Sequence, residues 1–179
     1  VYYSLNRLNE ALDDFNRAIE LDTKHASAFT NRGVVKLAIG DYDGALADHN
    51  KAIRLDPKLA KAFYNRGVFY LSKQNLSLAL ADFTRAIELE PTLAGAYVNR
   101  GSVFFALDKL NEAILDYDRA IMLDDQLPDV YQNRGIAYLL LGLEADASRD
   151  FKRCLELDSS LKPSLDASIA LARVRISRK

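Results

Sequence analysis

The tripeptide Asn31-Arg32-Gly33 recurs as Asn65-Arg66-Gly67, Asn99-Arg100-Gly101 and Asn133-Arg134-Gly135, each copy 34 residues after the last. A fixed period of that length marks one supersecondary unit copied in tandem, each copy too small to bury its own apolar face. Stacking the copies gives an elongated solenoid with one long concave wall. Such walls bind other chains far more often than they perform chemistry.

With the glycine set as position 8, the complete units are 26–59, 60–93, 94–127 and 128–161. Position 4 is then always aromatic: Phe29, Phe63, Tyr97 and Tyr131. Position 20 is Ala45, Ala79, Ala113 and Ala147, and position 27 is Ala52, Ala86, Ala120 and Cys154. Position 24 is His49, Phe83, Tyr117 and Phe151. Residues 1–25 carry the register backwards, with Tyr2, Ala11, Phe15 and Ala18 at positions 11, 20, 24 and 27. They read as the last turn of one helix and the whole of a second, so the chain reads as beginning inside a repeat.

Both halves of a unit have helical periodicity; Leu78, Leu80, Ala81, Phe83, Ile87 and Leu89 form one such face. Gly40-Asp41, Gln74-Asn75, Asp108-Lys109 and Gly142 fall where the first helix turns into the second. Pro128 and Pro163 suit first helical positions. Helices are predicted near 9–21, 26–39, 43–55, 60–73, 77–89, 94–107, 111–123, 128–141, 145–157 and 163–176. A mid-helix glycine costs about 1 kcal/mol against alanine, so four at one phase imply close helix contact. The position-20 alanines are expected to supply its other side.

These features resemble the tetratricopeptide repeat (TPR) family over residues 1–161, in its aromatic, Gly, Ala, aromatic, Ala and Pro phases. The resemblance implies an all-α, right-handed superhelical solenoid of helical hairpins, with protein–protein interaction as its work. Arginine stands at position 7, where the family usually has leucine, and Asp125 and Ser159 replace proline at position 32. Lys36 and His49 are further departures, at two apolar core positions of the first full repeat. Residues 162–179 begin a fifth repeat with Leu165, Ile169, Ala172 and Ile176 and then stop, as a capping helix would. Its basic end, Arg173, Arg175, Arg178 and Lys179, reads as cations complementing a helix dipole in preference to an anion site.

Composition narrows the function further. The 179 residues are 49% apolar and 27% charged, as in ordinary soluble folded chains, and the formal charge is −1. That balance offers no basic field for nucleic acid. No apolar run is long enough to insert in a membrane. The lone Cys154 excludes an internal disulfide framework, and its small-residue phase makes it a buried thiol. His25 and His49 have neither metal-ligand nor triad spacing, and no phosphate loop occurs. No catalytic, cofactor or metal site is expected; the chain reads as a non-enzyme, with a cytoplasmic setting favoured.

Arg32, Arg66, Arg100 and Arg134 are expected to pair with Asp48, Asp82, Asp116 and Asp150 at position 23 of their own repeats. Positions 7 and 23 lie at similar heights in the hairpin, on one flank. Asp14, the equivalent in residues 1–25, is expected to have no arginine. The groove then falls to position 6, the ladder Asn31, Asn65, Asn99 and Asn133. Side-chain amides match the backbone N–H and C=O of a peptide. First helices about 10 Å apart and an extended rise of about 3.3 Å per residue would set one asparagine every third ligand residue.

In the family the wall is built from positions 2, 5, 6, 9, 12 and 13, which here gives Val34, Tyr64, Val68, Leu71, Phe105 and Ile136 beside Leu37, Val98 and Leu139. Lys61 and Asp129 are its main charges. The basic clamp by which some members grip the carboxylate of Hsp70 or Hsp90 is missing: Thr30, Val34, Gly95 and Asn99 stand at its outer positions. The expected partner is therefore an extended or helical segment of a protein. Two alternatives remain, a homo-oligomer stacked end to end and the recognition arm of a larger enzyme.

Overall fold

The protein is described by a computed structural model that defines the backbone of residues 5–178 and the side chains of residues 7–178. It forms two compact units, Val1–Pro91 and Thr92–Lys179. The first holds α1 (Leu5–Leu21), α2 (Ala26–Ala38), α3 (Tyr42–Leu55), α4 (Ala60–Ser72) and α5 (Leu76–Leu89). The second holds α6 (Ala94–Ala106), α7 (Leu110–Leu123), α8 (Pro128–Leu140), α9 (Glu144–Leu157), the 3-10 turn Ser159–Leu161 and α10 (Lys162–Ser177). No strand occurs among the described residues. In the first unit α2 packs on α3 and α4 on α5; in the second, α6 packs on α7 and α8 on α9. First helices also lie beside first helices, α2 by α4, α6 by α8 and α8 by α10.

The hairpins turn at position 15, where Gly40, Gln74, Asp108 and Gly142 all have positive φ (85°, 57°, 60° and 77°). That left-handed residue reverses the chain and lets the second helix start two residues later. Asp41 caps its helix by accepting from the Gly44 N–H at 3.0 Å, and Asn75 accepts from the Leu78 N–H at 3.3 Å. Lys109 and Leu143, at the same position, provide no side-chain cap.

Among the described residues, nine of the ten helices lie within a residue of the predicted spans, and α1 differs. It starts at Leu5 and runs straight through Asn6, the equivalent of the turn residue, which is helical here. The last turn of a preceding helix, predicted on Tyr2, lies outside the described residues.

The glycine contact also differs from expectation. A Cβ built on Gly33, Gly67, Gly101 or Gly135 would meet the position-24 ring: His49 Cε1, Phe83 Cε1 and Tyr117 Cε1 at 2.7 Å, Phe151 Cε1 at 2.5 Å. The ring fills most of the space that glycine leaves, and at Gly33 the carbonyl oxygen of the position-20 Ala45 stands beside it, 3.1 Å from the built Cβ. The alanines are still buried, Ala45, Ala79 and Ala113 completely and Ala147 almost so, because that ring needs room beside it. Cys154 is buried at its small-residue phase, and burial pushes its thiol pKa up, with Asp129 and Asp158 adding to the effect.

Candidate functional site

The first helices are held by their arginines. Arg32, Arg66, Arg100 and Arg134 each fork onto both oxygens of Asp48, Asp82, Asp116 and Asp150, with all eight bonds between 2.7 and 2.8 Å. The four carboxylates are only 4–5% exposed. Burial alone would raise the Asp48 pKa, but hydrogen bonds from Arg32 and Lys36 outweigh it and hold it low. Each guanidinium also lies over the position-4 ring of its own helix, at 5.4–5.7 Å from Phe29, Phe63, Tyr97 and Tyr131.

A further bond runs to the preceding second helix. Nη1 of Arg32 donates to Asn16 Oδ1 at 2.9 Å, of Arg66 to Asn50 Oδ1 at 2.7 Å and of Arg134 to Asp118 Oδ1 at 2.6 Å. Arg32, Arg66 and Arg134 therefore each close their own hairpin and also tie it to the one before. Asp14 is exposed and has no ion pair among the described residues.

The two anomalies of the first full repeat meet at this arrangement. Lys36 replaces the ring that Tyr70, Phe104 and Tyr138 supply at position 11, and its Nζ lies 3.0 Å from Asp48 Oδ2. His49 is fully buried, its Nδ1 3.1 Å from the Thr30 hydroxyl, with no partner for Nε2. Burial pushes its pKa down to about 4; Asp48 opposes this and Arg66 adds to it. The imidazole is thus neutral near pH 7. The Thr30 hydroxyl also accepts from Asn65 Nδ2 at 3.3 Å, so the histidine is coupled to the asparagine ladder.

Two cavities open on the first helices, one in each unit. That in the first unit has a volume of about 450 Å³; Asn31, Val34 and Asn65 contribute to it, facing Leu8, Ala11 and Phe15 of α1. That in the second has a volume of about 320 Å³, and Phe105, Asn133 and Ile136 line it across α6 and α8. Gln132 and α10, through Leu171, complete it. Gln132 Nε2 reaches Ser168 Oγ at 3.5 Å, while its Oε1 is buried without a partner. Tyr117 stands at this cavity, its hydroxyl donating to Ser102 Oγ at 3.4 Å; burial pushes its pKa up to about 12.

Six of the ten predicted groove residues thus line a cavity. Tyr64, Val68, Leu71 and Asn99 line neither of these two and are half-buried, with Tyr64 6.0 Å from the Phe83 ring. The ladder is graded: Asn31 is exposed, and Asn65, Asn99 and Asn133 are half-buried. Asn65 spends one N–H on Thr30, so its amide is partly consumed inside the protein. Leu139, expected on the wall, is core instead, packed with Ile136, Ala147 and Ala172 under α10.

Models of repeat families match the chain over nearly all of this register. The TPR repeat model matches residues 1–40, 35–74 and 101–142, and tetratricopeptide repeat models match 60–93 and 128–161. The chain belongs to the tetratricopeptide repeat family. Among solved TPR structures it is similar to MamA, with 24% identity, TM-score 0.75, and coverage of 91% of this chain and 99% of that one. It is similar to YrrB, described as a TPR protein with an unusual peptide-binding site, at 24% identity and TM-score 0.72, covering 91% and 84%. It is also similar to TTC0263, a thermophilic TPR protein in Thermus thermophilus, at 22% identity and TM-score 0.72, covering 95% and 92%. Among curated proteins no sequence matches. The architecture is an all-α helical-repeat solenoid.

Sequence reasoning missed Gln132 as a cavity-lining residue, although it occupies position 5, a wall phase of the TPR first helix. It also missed the part α10 plays in the second cavity, because a capping helix reads only as a cover. Its basic end is not one patch. Arg175 pairs with Asp108 in the α6–α7 turn, Arg173 and Arg178 are exposed, and Lys179 lies outside the described residues. Among the described residues no helix is long and apolar enough to cross a membrane.

Proposed function

We propose that this TPR chain is an interaction scaffold that holds an extended or helical protein segment against its first helices, through amides and an apolar wall. Its repeats are 26–59, 60–93, 94–127 and 128–161, preceded by the partial repeat 1–25 and closed by the capping helix 162–179. The observation that carries the reading is the second unit's cavity, which Phe105, Ile136 and Leu171 line together with Gln132 and Asn133. The apolar side chains would take a ligand's apolar groups, while the Asn133 side-chain amide can both donate to and accept from a ligand backbone. YrrB, which has the same fold, is described as having a peptide-binding site of its own.

Asn31 and Val34 offer a comparable surface in the first unit, and Tyr64, Val68, Leu71 and Asn99 extend the wall on their helices. No nucleic acid, membrane, metal or cofactor enters this function, and none of its steps is catalytic. The test is selection from a displayed library of short peptides, with affinities measured by fluorescence anisotropy. Changing both Gln132 and Asn133 to Ala removes at least two hydrogen bonds worth about 0.5–1.5 kcal/mol each, so binding should weaken about tenfold with the melting temperature kept. Peptides that bind both proteins equally would refute the proposed mode.

A further inference from the structure

Four first helices leave their linkers alike, and α10 does not. His25, Leu59, Leu93 and Leu127, the residues before α2, α4, α6 and α8, have ψ of 84°, 92°, 84° and 90°. Leu161, before α10, has ψ −5°, and that difference about one bond redirects the helix that follows. Within each unit a first helix packs on the second helix before it, as α2 does on α1, α4 on α3 and α8 on α7. α10 packs instead on α8, with the turn Ser159–Leu161 between it and α9. Its Ala172 packs with Ile136 and Leu139, at wall positions 9 and 12, and its Ser168 meets Gln132, at wall position 5. Further along, Arg175 reaches back to Asp108 in the α6–α7 turn. This helix therefore lies on the wall of the groove.

It fits that place loosely. Only Leu165 and Ala172 are buried in the whole of α10, and Leu171 is 73% exposed. Alanine at 172 leaves the cavity of about 320 Å³ between α10 and the side chains of α6 and α8. The Ser168 contact is long, at 3.5 Å, and Gln132 Oε1 stays buried without a partner. The Arg175–Asp108 pair is open to water on both sides, so it holds weakly.

We propose that α10 is a displaceable strap on the second unit's groove, and that the partner is an amphipathic helix of another protein that takes its place. This rests on the groove reading above and names the class of segment the groove takes. The requirements of that helix follow from α10 itself. Leu165, Ile169, Ala172 and Ile176 share one face only in a helix, so an extended segment cannot reproduce the stripe. At the place of Ala172 the partner carries a larger apolar side chain, which fills the cavity that alanine leaves. Three residues later it carries an arginine for Asp108, which repels an acidic segment.

The probe is a synthetic peptide with the sequence of residues 162–178 and the change Ala172→Leu, labelled with fluorescein and titrated with the whole chain. The attached α10 competes at a high effective concentration, so the parent protein should bind the peptide weakly, one per chain. Arg175→Glu in the protein sets a carboxylate against Asp108 and loosens the strap, so the peptide should bind about fivefold more tightly. Ala172→Leu in the protein lets the strap fill the cavity itself and should weaken peptide binding about tenfold. With the protein labelled with nitrogen-15 to tell its α10 from the peptide, amide exchange of residues 162–177 should speed up on binding, while α6 and α8 keep their protection. Binding that leaves α10 as protected as before, or that is indifferent to both protein variants, overturns the strap and leaves the groove reading standing. Absence of saturable binding even by the Arg175→Glu protein overturns it too. The groove reading itself fails separately, on library peptides indifferent to Gln132 and Asn133.

Discussion

Mild acid should destabilise this protein through one side chain, His49. The imidazole is fully buried, with its pKa pushed from the ordinary 6.5 to about 4. Between those values the unfolded chain binds a proton that the folded chain refuses, so stability rises with pH across the window and is lost as pH falls. Each pH unit inside the window carries up to about 1.4 kcal/mol. At about pH 5 the loss is about 2 kcal/mol, and it approaches about 3 kcal/mol below pH 4. His49→Phe installs the ring that position 24 carries in Phe83 and Phe151, against the same bare glycine, and removes the titration. The assay is urea unfolding followed by circular dichroism, for both proteins, at about pH 7.5 and about pH 5. The parent should lose about 2 kcal/mol more than the variant over that interval, because His25 and the carboxylates are common to both. Equal losses would refute the burial argument.

Other variants test the scaffold itself. Asp82→Ala leaves the Arg66 guanidinium without its fork and should cost about 3–5 kcal/mol in denaturant unfolding, whereas Asp14→Ala should stay within about 0.5 kcal/mol. Gly101→Ala drives a methyl into the Tyr117 ring, with the built Cβ at 2.7 Å, and should lower stability by about 1–3 kcal/mol. Gln74→Gly should raise it by about 1 kcal/mol in the same assay, because glutamine holds φ at 57° there and glycine does so without a Cβ penalty. Lys109→Asp should add about 1 kcal/mol by giving α7 the cap that Asp41 gives α3.

Much of this architecture was legible because the repeat averages over its own exceptions. Four copies of Arg at position 7 and Asp at position 23 fixed one pairing geometry, and the forks appear at all four places. Composition could not show what fills the space above Gly33, because alanine and an aromatic ring both satisfy a demand for closeness. The packing gives that space to the His49 ring, with the Ala45 carbonyl oxygen beside it. Lys36 and His49 were legible as anomalies but not as partners, since their resolution runs through Asp48 and through Thr30 to Asn65. The groove was the least legible part. Helical phase put Asn133 and Ile136 on the first-helix wall, where both line the second unit's cavity, but it could not foresee that α10 would bury Leu139 and bring Leu171 to the same cavity.

Whether partners are held against the first helices through side-chain amides is tested most directly by NMR. In a nitrogen–proton spectrum each asparagine and glutamine side chain gives its own pair of amide signals, which can be followed while a selected peptide is added. The Asn133 and Gln132 signals should move in proportion to saturation, together with backbone signals of α6, α8 and α10. Signals on the second helices α7 and α9 should stay in place, apart from that of Tyr117, which stands at the cavity. Shifts confined to those second helices, with the amides of Asn133 and Gln132 unmoved, would contradict the proposed binding mode.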